Sequence, residues 1–225
     1  MAHLARENFS ICRSNARPGR RGGPGAGHRI ATITRLQPRR RAPPPRRKVA
    51  NVSLFEDVFP ISRRPRAIAA NGAADLICAP VSGRVIGLSQ VDDPAFSSGM
   101  LGEGTALVPD GDVAYAPVSG TVAEVVGSKH ALAIDADNGA QVLLHVGIDT
   151  VNLRGRGFRD FVGKGDRVGA GDALIWFDRE LIRGSELDDT VIVTVTNARE
   201  LGGVEPTRAG SVRAGEALLR LKAAR

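Results

Sequence analysis

From about Ala74 onward the chain runs in short blocks of Val, Ile and Leu, interrupted every several residues by Gly, Pro, Asp or Asn. The blocks at 83–88, 105–109, 120–126, 131–136, 141–146, 173–177 and 191–196 have the length and spacing of β-strands. Strands of this kind predict an all-β fold, an antiparallel β-sandwich or barrel in which helix is confined to short turns. The pair Asn138-Gly139, between the fourth and fifth blocks, predicts a β-hairpin.

The pattern also repeats. Ala79-Pro80-Val81-Ser82-Gly83-Arg84-Val85 returns almost unchanged as Ala116-Pro117-Val118-Ser119-Gly120-Thr121-Val122. Gly165 to Leu174 is echoed by Gly210 to Leu218. Each copy reads as a Gly-punctuated turn that feeds a strand, and neither has the spacing of a phosphate-binding loop.

Before residue 67 the composition changes. Arg, Pro and Gly dominate, and such a segment cannot bury enough apolar surface to offset its ordering entropy. Residues 1–66 are therefore expected to be a disordered basic tail, and residues 67–225 the folded domain. The tail holds 16 Lys and Arg against 3 acids and the remainder 15 against 21, so the net +7 is a tail of +13 and a domain of −6. A nucleic-acid or anionic-membrane arm is one reading of the tail, because clustered arginines release phosphate counterions. A solvated extension is the other, and no aromatics alternate with the arginines to stack on bases. No nucleic acid is expected to bind the folded domain. The two cysteines, Cys12 and Cys78, exclude a disulfide framework and have no partners at zinc-ligand spacing. No apolar run approaches the roughly 18 residues of a membrane span, so the protein is expected to be cytoplasmic.

Candidate chemistry narrows to two histidines. His3 and His28 lie in the tail, which leaves His130 and His145. His145 ends an apolar run just before a turn at Gly147, and His130 precedes the strand that the hairpin pairs with it. The hairpin should bring both imidazoles toward one another. Two facing neutral imidazoles can hold a metal, run acid/base chemistry, or accept and stabilise a phosphoryl group. Unconnected histidines at two strand ends are the plain alternative. A zinc peptidase would need a further His-x-His, and no histidine follows His145. A carrier with a swinging prosthetic group would need its lysine beside Met or Asp at a hairpin tip, and Lys129 and Lys164 lack those flanks.

The segment Gly139-Ala140-Gln141-Val142-Leu143-Leu144-His145-Val146-Gly147-Ile148-Asp149-Thr150 resembles the phosphohistidine signature of the glucose-family enzyme IIA of the bacterial sugar phosphotransferase system. The two Ala-Pro-Val-Ser-Gly copies, the stretch Asp93 to Gly104, Lys129-His130-Ala131 and Phe177-Asp178 agree in order, so the resemblance runs from about Asp75 to Lys222. It implies a β-sandwich phosphocarrier that takes a phosphoryl group from the carrier protein HPr and passes it to a cysteine of the B domain of a membrane sugar transporter (enzyme IIB/IIC). It also implies a phosphotransferase with a phosphohistidine intermediate, with no cofactor and no metal.

By the same resemblance His145 matches the position that carries the phosphate on Nε2, and His130 the second histidine, which contacts the phosphoryl oxygens. Gly147 matches the residue whose carbonyl bonds the other nitrogen of the acceptor ring. Ser128 stands where the family often has threonine and keeps a hydroxyl for His130. Phe96, Val142, Val146 and Ile148 are available as an apolar rim that excludes water and docks partners. Asp149 is expected to brace the turn by bonding backbone N–H groups, and Lys129 to be solvated. The alternative function is a regulatory binding module, read by partner proteins according to its phosphorylation state.

Overall fold

The computed structural model describes residues 63–222. The expected basic tail lies outside the described residues as far as residue 62. Among the described residues the strands are β1 Leu76–Cys78, β2 Gly83–Gly87, β3 Glu103–Pro109, β4 Val113–Tyr115, β5 Gly120–Val125, β6 Ala131–Ala136 and β7 Gln141–Val146. They continue with β8 Phe158–Asp160, β9 Arg167–Val168, β10 Ala173–Phe177, β11 Val191–Val195, β12 Val204–Pro206, β13 Ser211–Val212 and β14 Ala217–Leu221. Among the same described residues helix is confined to α1 Pro94–Ser97, α2 Arg179–Gly184 and single 3-10 turns. No helix among the described residues is long and apolar enough to cross a membrane.

The seven blocks legible as strands in the sequence are β2, β3, β5, β6, β7, β10 and β11. All pairings among the described residues are antiparallel. One sheet has eight strands in the order β13-β2-β3-β11-β7-β6-β5-β9, and two small sheets have the orders β1-β14-β12 and β4-β10-β8. Their inner faces share one core, in which Ile77, Leu107, Leu144, Phe158, Leu174, Phe177, Val193 and Leu218 are almost fully buried. This is the expected sandwich. β11 runs through the middle of the large sheet, and all five of its residues are buried. Its β-branched sequence, Val191-Ile192-Val193-Thr194-Val195, suits a strand covered on both faces.

The repeated serines explain the internal repetition. Ser119 Oγ accepts the amide of Ala170 at 3.0 Å, and Ser82 Oγ accepts that of Ala214 at 3.0 Å. Each Ala-Pro-Val-Ser-Gly copy thus clasps the glycine turn of one of the other pair of repeats. The segment ahead of β1 lies across both turns, with Ile68 N–H on the Gly171 carbonyl and Asn71 N–H on that of Gly215, each at 3.0 Å.

The hairpin between β6 and β7 turns at Asn138-Gly139. Gly139 has φ +85°, and Asn138 Oδ1 caps the amide of Ala140 at 3.1 Å. Because side chains alternate along a strand, β7 sends Val142, Leu144 and Val146 into the shared core. Gln141, Leu143 and His145 go to the opposite face of the large sheet.

Leu144 is fully buried in the middle of β7. Leu144→Ala is expected to cost about 3 kcal/mol, the usual range for emptying a closed core site, measured by urea unfolding of the full chain. A loss well below 1 kcal/mol would contradict a core closed over this strand.

Candidate functional site

The hairpin register places the two histidines together. Ala131 pairs with His145 across β6 and β7, and the His130 carbonyl accepts the Val146 amide at 2.8 Å. The imidazole centroids are 4.7 Å apart with the ring planes at 83°, an edge-to-face contact. On the other side of β7, Ile192 of β11 stands opposite His145. His130 is buried and His145 half-buried.

The outer face around His145 has its own small apolar cluster of Val91, Phe96, Ala106, Ile148 and Ile192. Helix α1 delivers Phe96 to it. Asp93 caps that helix by accepting the Ala95 amide at 2.7 Å, and Pro94 starts it with a preset φ. The Phe96 ring then lies 5.0 Å from the His145 ring at 62°. Phe158 of β8 flanks His130 at 6.4 Å.

The chain turns sharply after β7. Gly147 has φ +77°, and a Cβ there would collide with the side chain of Thr150 and the carbonyl of Asp188. The Gly147 amide donates to the Thr190 carbonyl at 2.8 Å and that of Ile148 to the Asp188 carbonyl at 2.9 Å. Thr150 Oγ1 closes the turn on the Val146 carbonyl at 2.7 Å. The His145 backbone is therefore held from both sides.

The ring nitrogens differ in their surroundings. His145 Nδ1 is buried, and no partner reaches it with full hydrogen-bond geometry, the one such side-chain atom among the described residues. The Gly147 backbone nevertheless favours the protonated ring. Nε2 of His145 bonds no protein group and is not buried, so it faces outward. His130 Nδ1 lies 2.9 Å from Ser128 Oγ, which leaves its Nε2 free. Burial, with a lesser contribution from His130, pushes His145 down to about 3. Burial pushes His130 down to about 4. Both rings are neutral at pH 7, so each keeps one nitrogen lone pair. One outward lone pair beside a second imidazole, against an apolar wall, is an arrangement for nucleophilic group transfer. Among the described residues no three His, Cys, Asp or Glu side chains gather around a possible metal position.

Of the residues singled out from the sequence, His145, His130, Ser128, Gly147, Phe96 and Ile148 come together at this place. Phe96 and Ile148, at 3% and 8% exposure, wall the site and do not form an open rim. Val142 and Val146, expected in the rim, are instead at 1% and 0% exposure in the shared core, because they alternate with His145 along β7 and point through the other face. The expected brace by Asp149 is absent as well. Its side chain is exposed and makes no cap bond, its φ is +57°, and Thr150 with the Asp188 and Thr190 carbonyls holds the turn in its place. Lys129, expected to be solvated, pairs with Asp160 of β8 at 2.8 Å.

Sequence reading missed Ile192, Phe158 and the 188–190 segment. Period-2 alternation along β7 would have removed Val142 and Val146. Nothing local in the sequence marks the others, because they arrive from parts of the chain 28 to 47 residues away from the groups they meet.

Residues 75–201 match the profile of the family described as phosphoenolpyruvate-dependent sugar phosphotransferase system, EIIA 1. The chain is 37% identical over 166 residues to the glucose-specific EIIA component of Halalkalibacterium halodurans, an alignment covering 74% of this chain and 96% of that one. It is 38% identical over 167 residues to the beta-glucoside-specific EIIBCA component of Bacillus subtilis, covering 74% of this chain but 27% of the longer relative. Among solved structures, glucose permease IIA from Mycoplasma capricolum matches with a TM-score of 0.58 at 34% identity, covering 65% of this chain and 95% of the other.

The lowered basicity of the two rings has a consequence for stability. Unfolding releases both imidazoles to an ordinary value near 6.5, so acid protonates the unfolded chain first. Stability is expected to be flat above pH 6.5 from this source and to fall as the pH drops toward about 4. His145→Gln should flatten part of that slope in denaturant titrations run at several pH values. An unchanged slope would contradict a desolvated, neutral His145.

Proposed function

Because the chain belongs to the EIIA 1 family of the phosphoenolpyruvate-dependent sugar phosphotransferase system, we propose that it accepts a phosphoryl group from phospho-HPr on His145 and passes it to a cysteine of a transporter B domain. Family membership makes the chain a phosphocarrier and phosphotransferase of sugar transport. Relatives that carry the EIIBCA designation support EIIB and EIIC as its partners. On the same reading the chain works in the cytoplasm, and residues 67–225 are its phosphocarrier domain behind a basic tail.

One observation carries the reading: an outward Nε2 on a neutral ring, 4.7 Å from a second imidazole and backed by Phe96. The His145 Nε2 lone pair attacks the phosphorus of phospho-HPr. The N–P bond to His145 forms as the donor's N–P bond breaks, and the donor histidine leaves with that electron pair. In-line positioning and charge balance on the equatorial oxygens supply the catalysis.

His130 serves those oxygens if its Nε2 bears the proton. That tautomer follows when the Ser128 hydroxyl donates to Nδ1, for which the 2.9 Å spacing is suited. The phosphoimidazole formed on His145 keeps its Nδ1 proton facing the Gly147 backbone. In the second half-reaction a thiolate of the B domain attacks the same phosphorus, an S–P bond forms, and the lone pair returns to Nε2. The apolar wall of Phe96 and Ile148 keeps water from competing between the two transfers.

Incubation with phosphoenolpyruvate and the general phosphotransferase proteins is expected to label the chain with one acid-labile phosphoryl group. His145→Gln should abolish the label. His130→Gln should still accept it but pass it to the B domain at a rate lower by about a hundredfold, the scale for losing a positioned proton donor. Stable label on a serine would overturn the assignment.

A further inference from the structure

The α2–β11 connection carries a buried acid that takes no direct part in the phosphoryl transfer. The Asp189 side chain is 6% exposed, and its Oδ2 takes Arg179 Nε at 2.8 Å and Arg183 Nη2 at 3.0 Å, both from α2. A buried carboxylate needs such partners to offset its loss of water. Here the pair of arginines also fixes position, because α2 is itself anchored: the Asp178 amide donates to the Gly157 carbonyl at 2.8 Å, and the Asp178 side chain caps Leu181 at 2.9 Å.

The neighbours on either side of Asp189 are the residues that grip the turn after His145. Asp188 and Thr190 offer their carbonyls to the amides of Ile148 and Gly147. Asp188 Oδ1 further ties this short segment by accepting the Thr190 amide at 2.7 Å and the Thr190 hydroxyl at 2.6 Å. The peptide joining Gly147 to Ile148 is a rigid trans plane with its C=O and N–H on opposite edges. Holding the Ile148 N–H on Asp188 therefore aims the Gly147 C=O the other way, back toward the strand end that carries His145. The otherwise orphaned Nδ1 of His145 lies on that side, within the influence of the Gly147 backbone.

We propose that Asp189 is a positioning residue for the acceptor: clamped by Arg179 and Arg183, it fixes the 188–190 segment, hence the Gly147–Ile148 peptide, hence the Nδ1–H tautomer of His145 that leaves Nε2 free. This rests on the reading of His145 as the phosphoryl acceptor. Asp189 touches neither histidine, and its effect passes through two backbone hydrogen bonds.

The test uses the full chain with 15N-labelled histidine. Ring nitrogen shifts report the His145 tautomer, and labelling from phospho-HPr reports the acceptance rate. Asp189→Ala is expected to move His145 from a single Nδ1–H tautomer to a mixture and to slow acceptance by about ten- to a hundredfold, the scale for misplacing a reacting group. Asp189→Asn, which keeps the shape and one acceptor oxygen, should fall between that variant and the parent, and it carries the test if the alanine variant does not fold. A merely stabilising acid would lower the melting temperature and leave the ring spectrum of the folded variant unchanged, and that result would overturn the proposal. So would a tautomer mixture with parental acceptance. Failure of the parent chain to be labelled on His145 would refute the acceptor reading, whereas the ring spectrum still decides what Asp189 does.

Discussion

Removing an imidazole from water is what the rest of this site depends on. An exposed histidine near neutral pH spends part of its time protonated, with no lone pair to offer. Burial against Phe96, Ile148 and Ile192 takes the charged form away from His145, and burial does the same to His130. What remains is a pair of neutral rings whose reactivity depends on which nitrogen holds the proton. Each ring has one nitrogen turned to the protein and one left free, so the protein sets the tautomer through the partner it offers the inner nitrogen.

The β-architecture supplies this economically. A three-residue turn, 137–139, with Gly139 at positive φ, fixes the register of β6 against β7, and that register puts His130 beside His145. The same alternation that sends Leu144 into the shared core sends His145 out through the other face. β11 then flanks β7 with Ile192, and the loop ahead of β11 grips the turn that follows His145. Stability and reactivity thus draw on neighbouring residues of one strand. The shared core lies under the sheet and the His145 ring lies on it.

Much of this was legible in the sequence. Seven of the eight strands of five or more residues announced themselves as apolar blocks between Gly, Pro, Asp and Asn, and the Asn-Gly hairpin located the histidine pair. Strands of two or three residues such as β8, β9, β12 and β13 were not legible, because a period of two cannot be seen in so short a run. Val142 and Val146 were misplaced for a different reason: apolar character near an active residue says nothing of the face until the alternation is applied. Asp149 was expected to brace its turn, as aspartates often do, but carbonyls from the 188–190 segment already occupy the turn amides. Long-range partners of this kind, and the Lys129–Asp160 pair, depend on which strands the sandwich stacks together, and no local pattern encodes that.

The account is tested most directly by NMR of the phosphorylated full chain, using the coupling between 31P and 15N. The expected result is a single phosphoryl group on Nε2 of His145, with His130 donating a hydrogen bond from its own Nε2–H to a phosphoryl oxygen. A phosphoryl group on Nδ1 of His145, or on His130, would contradict it, because the structure turns that face of the acceptor ring toward the Gly147 backbone and keeps it out of solvent.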